Sequence, residues 1–198
     1  MKKLLLLLCL PLFAQAQDRP YGKVWATRSQ AIAQNGMAAT SHPLSTQAAL
    51  DVLKAGGNAI DAAIAANAME GVVEPHVNGI GGDLFAIVWD AKTKKLYGLN
   101  ASGRSPKSLT LAEFKKRGLT HIPSTGPLPV SVPGCVDAWF ELHKKFGAMP
   151  MSKVLEKAVS YARNGFPVHG ELASGLARVP ANYGKFPNVA EHYYPTGK

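Results

Sequence analysis

Asn58-Ala59-Ile60-Asp61-Ala62-Ala63-Ile64-Ala65-Ala66-Asn67-Ala68-Met69 carries apolar residues almost all round a helical projection instead of along one stripe, which is the composition of a buried helix. Alanine on most faces lets neighbouring backbones come close, as in a helix pressed against a sheet inside a layered fold. Asn58 is a good N-cap, and Asp61 at the third position can meet free N–H groups and the positive end of the helix macrodipole. The flanks of this stretch are polar, so a membrane span is excluded.

Upstream, Gln47 to Lys54 reads as a shorter helix capped by Ser45 or Thr46, with Lys54 in its last turn and Gly56-Gly57 available for a left-handed exit. Before it, Gly36-Met37-Ala38-Ala39-Thr40 predicts a small-residue strand that stops at Ser41-His42-Pro43. Downstream, Asn78-Gly79-Ile80-Gly81-Gly82-Asp83 is a loop that permits positive φ or close backbone approach. Leu84 to Trp89 follows as a buried strand, Asp90 to Thr93 as a turn, and Lys95 to Leu99 as the returning strand of a hairpin. Thr110 to Lys115 reads as a short capped helix, and Ile122 to Val132, rich in proline and glycine, as an extended connection. Pro133-Gly134 opens a helix through Val136, Trp139, Phe140 and His143. Met151 to Arg163 predicts another, with Val154, Leu155, Ala158, Val159 and Ala162 inward and Asn164-Gly165 closing it. From there to Lys198 no clean period is visible.

The chain starts Met1-Lys2-Lys3, continues with an apolar run from Leu4 to Phe13 and then reads Ala14-Gln15-Ala16, the order of a secretory signal peptide. A cleaved signal over 1–16 places the mature protein, 17–198, in the periplasm or outside the cell, with no lasting membrane anchor. The formal net charge is +9, but the basic residues are scattered and not interleaved with aromatics, so no nucleic-acid surface is expected. Cys9 leaves with the signal, so Cys135 has no internal disulfide partner.

Self-contained catalytic motifs are missing: the sequence holds no G-x-S-x-G, H-E-x-x-H, C-x-x-C or G-x-x-x-x-G-K. Gly79-Ile80-Gly81 imitates the start of a dinucleotide fingerprint, but Leu84 occupies the third glycine position and a helix precedes the loop where a strand is needed. The six histidines lack ligand spacing, so neither a metal nor a cofactor is expected. Asn100-Ala101-Ser102-Gly103-Arg104-Ser105-Pro106 is more informative, because it follows a strand and sets one arginine among small residues. A guanidinium there can hold a carboxylate through two parallel N–H bonds, with room beside it for a ligand; a surface arginine is the alternative.

Several blocks then fall in a familiar order. Gly36 to Leu44, Gly56-Gly57-Asn58-Ala59-Ile60-Asp61-Ala62-Ala63-Ile64-Ala65, Val73-Glu74-Pro75 with Gly79-Ile80-Gly81-Gly82, Val130-Ser131-Val132-Pro133-Gly134, Phe146-Gly147 and Ala162-Arg163-Asn164-Gly165-Phe166-Pro167-Val168 resemble the γ-glutamyltransferase family. The resemblance implies an α/β (α+β) fold, the αββα sandwich of N-terminal nucleophile hydrolases, of which this chain is an incomplete front portion. It implies a precursor that cuts itself into a large and a small subunit, with this chain at the N-terminal part of the large one. A threonine exposed by that cleavage attacks a γ-glutamyl amide and forms an acyl-enzyme, which water or an acceptor amine resolves. That threonine is expected downstream of Lys198, so the resemblance puts no catalytic residue in these 198 positions and implies that the piece alone is inactive. The partners implied are a small γ-glutamyl substrate, such as glutathione, and the small subunit.

Of the family's substrate-binding residues, only the arginine that grips the substrate carboxylate maps here, onto Arg104. Two departures stand out. Asp83 interrupts the glycine loop where glutathione-cleaving members have further glycine, and Ser102-Gly103 precedes Arg104 in place of an acidic-aromatic pair. The variant resembles branches that include acylases and small amide hydrolases, so a cephalosporin side-chain amide or oxamate is the alternative substrate. A secreted non-catalytic module of the same fold is the alternative outside enzymology.

Overall fold

The computed structural model describes residues 31–179 and 183–193. The predicted signal peptide and the residues after Tyr193 lie outside the described residues, and the elements fall in the second of two units, Ala33–Lys198. In the second unit the order is α1 (Pro43–Lys54), α2 (Ala59–Val73), β1 (Leu84–Asp90), β2 (Lys95–Ala101), α3 (Leu111–Lys116), α4 (Cys135–Phe146), α5 (Met151–Val154), α6 (Glu156–Asn164), α7 (Gly170–Ala177) and α8 (Pro187–Tyr193).

The central helix forms as its sequence predicts. The Asn58 side chain accepts from the Ile60 and Asp61 N–H groups, and the Asp61 carboxylate accepts from the Asn58 N–H, closing a capping box. Ala62, Ile64, Ala65, Ala66 and Ala68 are buried, while Ala59 and Ala63 are exposed, and the buried ones pack with Ala49 and Val52 of α1, Cys135, Trp139 and Leu142 of α4, Val154 of α5 and Ala158 of α6 in one apolar cluster. Leu84, Ala86, Val88 and Leu99 of the hairpin lie against that cluster. A smaller cluster of Ala48, Met69 and Val73 continues the α1–α2 contact, with Tyr161 and Phe166 beside it.

The hairpin is antiparallel, with Leu84 opposite Ala101, Ile87 opposite Gly98 and Trp89 opposite Leu96. Side chains alternate between its two faces, as the pleat requires. The strand over Leu84–Trp89 is expected to be buried, but only one face is covered, and that in part, with Leu84, Ala86 and Val88 lying against the helices; Phe85, Ile87, Trp89 and Leu96 point the other way and are 61–81% exposed. A sheet of this kind carries an apolar face that a second layer would cover.

Three further expectations change. Helix α1 begins at Pro43, earlier than predicted, because proline suits the first helical position and His42 supplies the cap, its Nδ1 accepting from the Leu44 N–H at 3.1 Å. Residues 36–40 form no strand among the described residues, since a strand requires a neighbour to satisfy its backbone groups. The single helix predicted over 151–163 breaks at Leu155 into α5 and α6, and of its inward set Val159 and Ala162 are exposed. Gly165 ends α6 at φ 83°, the left-handed exit that glycine allows. No described helix is long and apolar enough to cross a membrane.

Candidate functional site

Because β1 and β2 are antiparallel, the start of β1 and the end of β2 lie at one end of the hairpin. The glycine loop before Leu84 and the Ser102–Pro106 loop after Ala101 therefore meet there. A third segment, 131–135, joins them through backbone bonds. The Gly134 and Cys135 N–H groups both donate to the Gly82 carbonyl at 3.0 Å, and the Val132 N–H donates to the Arg104 carbonyl at 2.8 Å.

Two glycines make this approach possible. A Cβ on Gly103, which sits at φ 66°, would stand 2.0 Å from the Val132 carbonyl oxygen, and a Cβ on Gly134 would stand 2.3 Å from that of Ala101. Any larger residue would push the segments apart. One side-chain bond adds to the backbone ties: the Ser131 hydroxyl donates to the Asp83 carboxylate at 2.9 Å.

The three segments and α4 border an open cleft of about 670 Å³, lined among others by Leu99, Arg104, Pro133, Asp137 and Glu141. Arg104 is exposed. Its loop is held by the main chain, while no hydrogen-bond or ion-pair partner is found for its guanidinium among the described residues. A fixed loop bearing an unpaired guanidinium beside a concave surface is suited to a carboxylate ligand. Asp137, in the first turn of α4, and Glu141 give the opposite wall acidic character.

The glycine loop thus serves the meeting of segments, with no helix following it to hold a phosphate. Cys135 is buried in the main apolar cluster, and burial raises its thiol pKa. Its Sγ lies 3.5 Å from Asn67 Oδ1, an atom that also accepts from Trp139 Nε1 at 2.8 Å. These contacts are structural, since a protonated thiol is a poor nucleophile.

A polar cluster that sequence reading does not reveal lies elsewhere, where the C-terminal end of α2 meets α1 and α7. The Ser41 hydroxyl bonds both Glu70 and Glu74. The His42 and His169 rings are 5.3 Å apart, and His169 Nε2 lies 3.8 Å from Glu74 Oε1. Burial, chiefly, raises the Glu70 pKa, while the hydrogen bond from Glu70 does most to lower that of Glu74. His169 also caps α7, its Nδ1 accepting from the Leu172 N–H at 3.3 Å. Among the described residues no group of three or more His, Cys, Asp or Glu side chains is placed to hold a metal ion.

The fold and cleft define a mixed α/β protein with a buried alanine-rich helix, a hairpin apolar on both faces and an arginine loop at the hairpin's end. Residues 45–198 match the Gamma-glutamyltranspeptidase family, and the chain belongs to that family. It is 42% identical over 136 residues to the glutathione hydrolase-like YwrD proenzyme of Bacillus subtilis, covering 68% of this chain and 26% of that protein. It is 33% identical over 176 residues to the oxamate amidohydrolase proenzyme of Klebsiella pneumoniae, covering 86% of this chain and 33% of that protein. Among solved structures it resembles the cephalosporin acylase from Bacillus halodurans, with a TM-score of 0.81 and 42% identity over 91% of this chain and 35% of that one. The Helicobacter pylori γ-glutamyltranspeptidase gives a TM-score of 0.78 at 29% identity, over 85% of this chain and 49% of that one. The fold is therefore that of the N-terminal nucleophile hydrolases, and the chain spans between a quarter and a third of the length of these two curated relatives.

Proposed function

We propose that this chain is the front of the large subunit of a secreted enzyme that cleaves γ-glutamyl amides, glutathione or a related compound, by hydrolysis or by transfer to an acceptor. The observation that carries the proposal is the arginine loop: Arg104, onto which the family arginine maps by resemblance, lines the cleft, its loop is pinned to Val132, and no protein partner is found for its guanidinium among the described residues. In this reading Arg104 takes the substrate α-carboxylate in a bidentate grip. The nucleophile is the N-terminal threonine of a small subunit made from the same precursor, its own amine serving as base. The word proenzyme in the names of the relatives supports self-processing. Holding the carboxylate orients the scissile carbonyl before attack, which lowers the entropic part of the barrier.

A second reading, amide hydrolysis of an oxamate or acylase type, is favoured by the similarity to the oxamate amidohydrolase and the cephalosporin acylase and by Asp83 in the glycine loop. Both readings share the threonine and differ in substrate. Comparing kcat/KM of the purified full-length protein on a γ-glutamyl anilide, oxamate and a cephalosporin side-chain amide decides between them. A γ-glutamyl preference supports the first and an oxamate or acylase preference the second. No turnover of any of the three by a protein that has been cut and folded contradicts both.

A further inference from the structure

We infer that Asp83 and Ser131 are positioning residues for the Arg104 loop, and that this pair is a determinant of carboxylate recognition. The inference rests on the reading of Arg104 as the carboxylate grip and goes beyond it by naming what aims that arginine.

The Arg104 loop touches the segment before α4 through one strong backbone bond, Val132 N–H to the Arg104 carbonyl at 2.8 Å. Whether the arginine points into the cleft therefore depends on where Val132 is. Val132 lies between two anchors. On its C-terminal side, Gly134 and Cys135 both donate to the Gly82 carbonyl. On its N-terminal side, Ser131 donates to Asp83, the residue after Gly82. Asp83 and Gly82 thus hold the 131–135 segment at both ends, and the fit against Gly103 has no slack, since a Cβ there would meet the Val132 carbonyl oxygen at 2.0 Å and Ser131 Oγ at 3.2 Å.

The backbone anchor needs only main-chain N–H groups and the close approach that Gly103 and Gly134 allow, whereas the Asp83–Ser131 anchor requires an acceptor and a donor side chain at these two positions. A loop with glycine at 83 lacks it. Releasing it leaves the fold intact, because Asp83 is exposed, but lets Val132 and the Arg104 carbonyl shift together. A tilt of a guanidinium by a fraction of an ångström weakens a bidentate bond far more than it weakens packing.

The test uses the full-length enzyme with two substrates, a γ-glutamyl anilide and the matching anilide without the α-carboxylate. Asp83→Ala is expected to raise KM about three- to tenfold for the carboxylate substrate, the range of one lost hydrogen bond, with kcat within about twofold and the second substrate unaffected. Asp83→Asn, which keeps an acceptor oxygen, should restore the parent KM. Asp83→Ala combined with Ser131→Ala should match either single change, since the two remove one bond. Equal effects on both substrates, additive effects in the double variant, or no change in KM would overturn the positioning role. Arg104→Ala separates the two levels of inference. If it leaves the preference for the carboxylate substrate unchanged, the reading of Arg104 has failed; if it abolishes that preference while Asp83→Ala does nothing, only the positioning role has failed.

Discussion

The fully buried carboxylate of Asp61 accepts the Ala148 N–H at 3.2 and 3.1 Å and the Met149 N–H at 3.2 Å, across 87 and 88 residues of chain. The same carboxylate accepts the Asn58 N–H at 3.0 Å within its own helix terminus. One side chain thus caps α2 and fastens to it the turn that follows α4.

Asp61→Ala should therefore cost more than an ordinary cap. It leaves three backbone donors without their acceptor, two of them from a distant turn, and a loss of about 2–4 kcal/mol is expected. Asp61→Asn keeps one good acceptor oxygen and should lose about half as much. Urea denaturation of the full-length protein checks the order, and equal stability of the parent and Asp61→Ala would contradict the structural role.

How far the sequence could be read follows from this example. The Asn58–Asp61 cap was legible because it is local: two residues three positions apart and a fixed geometry. The second half of Asp61's role was not, because nothing in the pattern around Ala148 says which carboxylate will arrive there. Similarly, Asp83 is visible as a departure from the glycine loop, but its bond to Ser131 joins positions 48 apart. His42 hid as a cap because histidine accepts from an N–H only as the tautomer with Nδ1 free. Arg104 was legible only through the resemblance; the geometry adds the cleft and the tie to Val132.

The exposed hairpin face gives a test of the layered fold. Phe85, Ile87, Trp89 and Leu96 form a contiguous apolar set on the side away from α2, and the second sheet of the αββα sandwich would cover it. Ile87→Asp should then prevent folding or processing of the full-length protein although Ile87 is 81% exposed in this chain. Burial of an unpaired carboxylate between two sheets costs several kcal/mol. Soluble expression and melting temperature equal to the parent would show that the face is open in the whole molecule.

The Glu70–Glu74 pair fixes the sign of a pH dependence. Burial raises Glu70, so its folded-state proton is held more tightly than in the unfolded chain. Its contribution is complete below the unfolded carboxylate value and is lost as pH rises through the raised folded value. The hydrogen bond from Glu70 lowers Glu74, whose contribution is present above the unfolded value and is lost as pH falls through the lowered folded one. Stability from this cluster therefore peaks around the ordinary glutamate range, and Glu70→Gln, which keeps a donor without the charge, should flatten the decline on the alkaline side. Chemical denaturation at several pH values, comparing the two proteins, reads the difference; identical slopes would mean that the pair does not share a proton.

Arg104→Lys tests the grip itself. Lysine keeps the charge and loses the planar fork, so KM for a γ-glutamyl anilide should rise about tenfold or more with a smaller change in kcat. Unchanged kinetics would make Arg104 a structural arginine of its loop.

The most direct measurement is intact-mass and N-terminal analysis of the purified full-length protein before and after a γ-glutamyl-type affinity label. Two polypeptides are expected, the shorter beginning with threonine and carrying the label on that residue. A single uncut chain that still turns over γ-glutamyl substrate, or a label found on any other residue, would contradict the proposed enzyme.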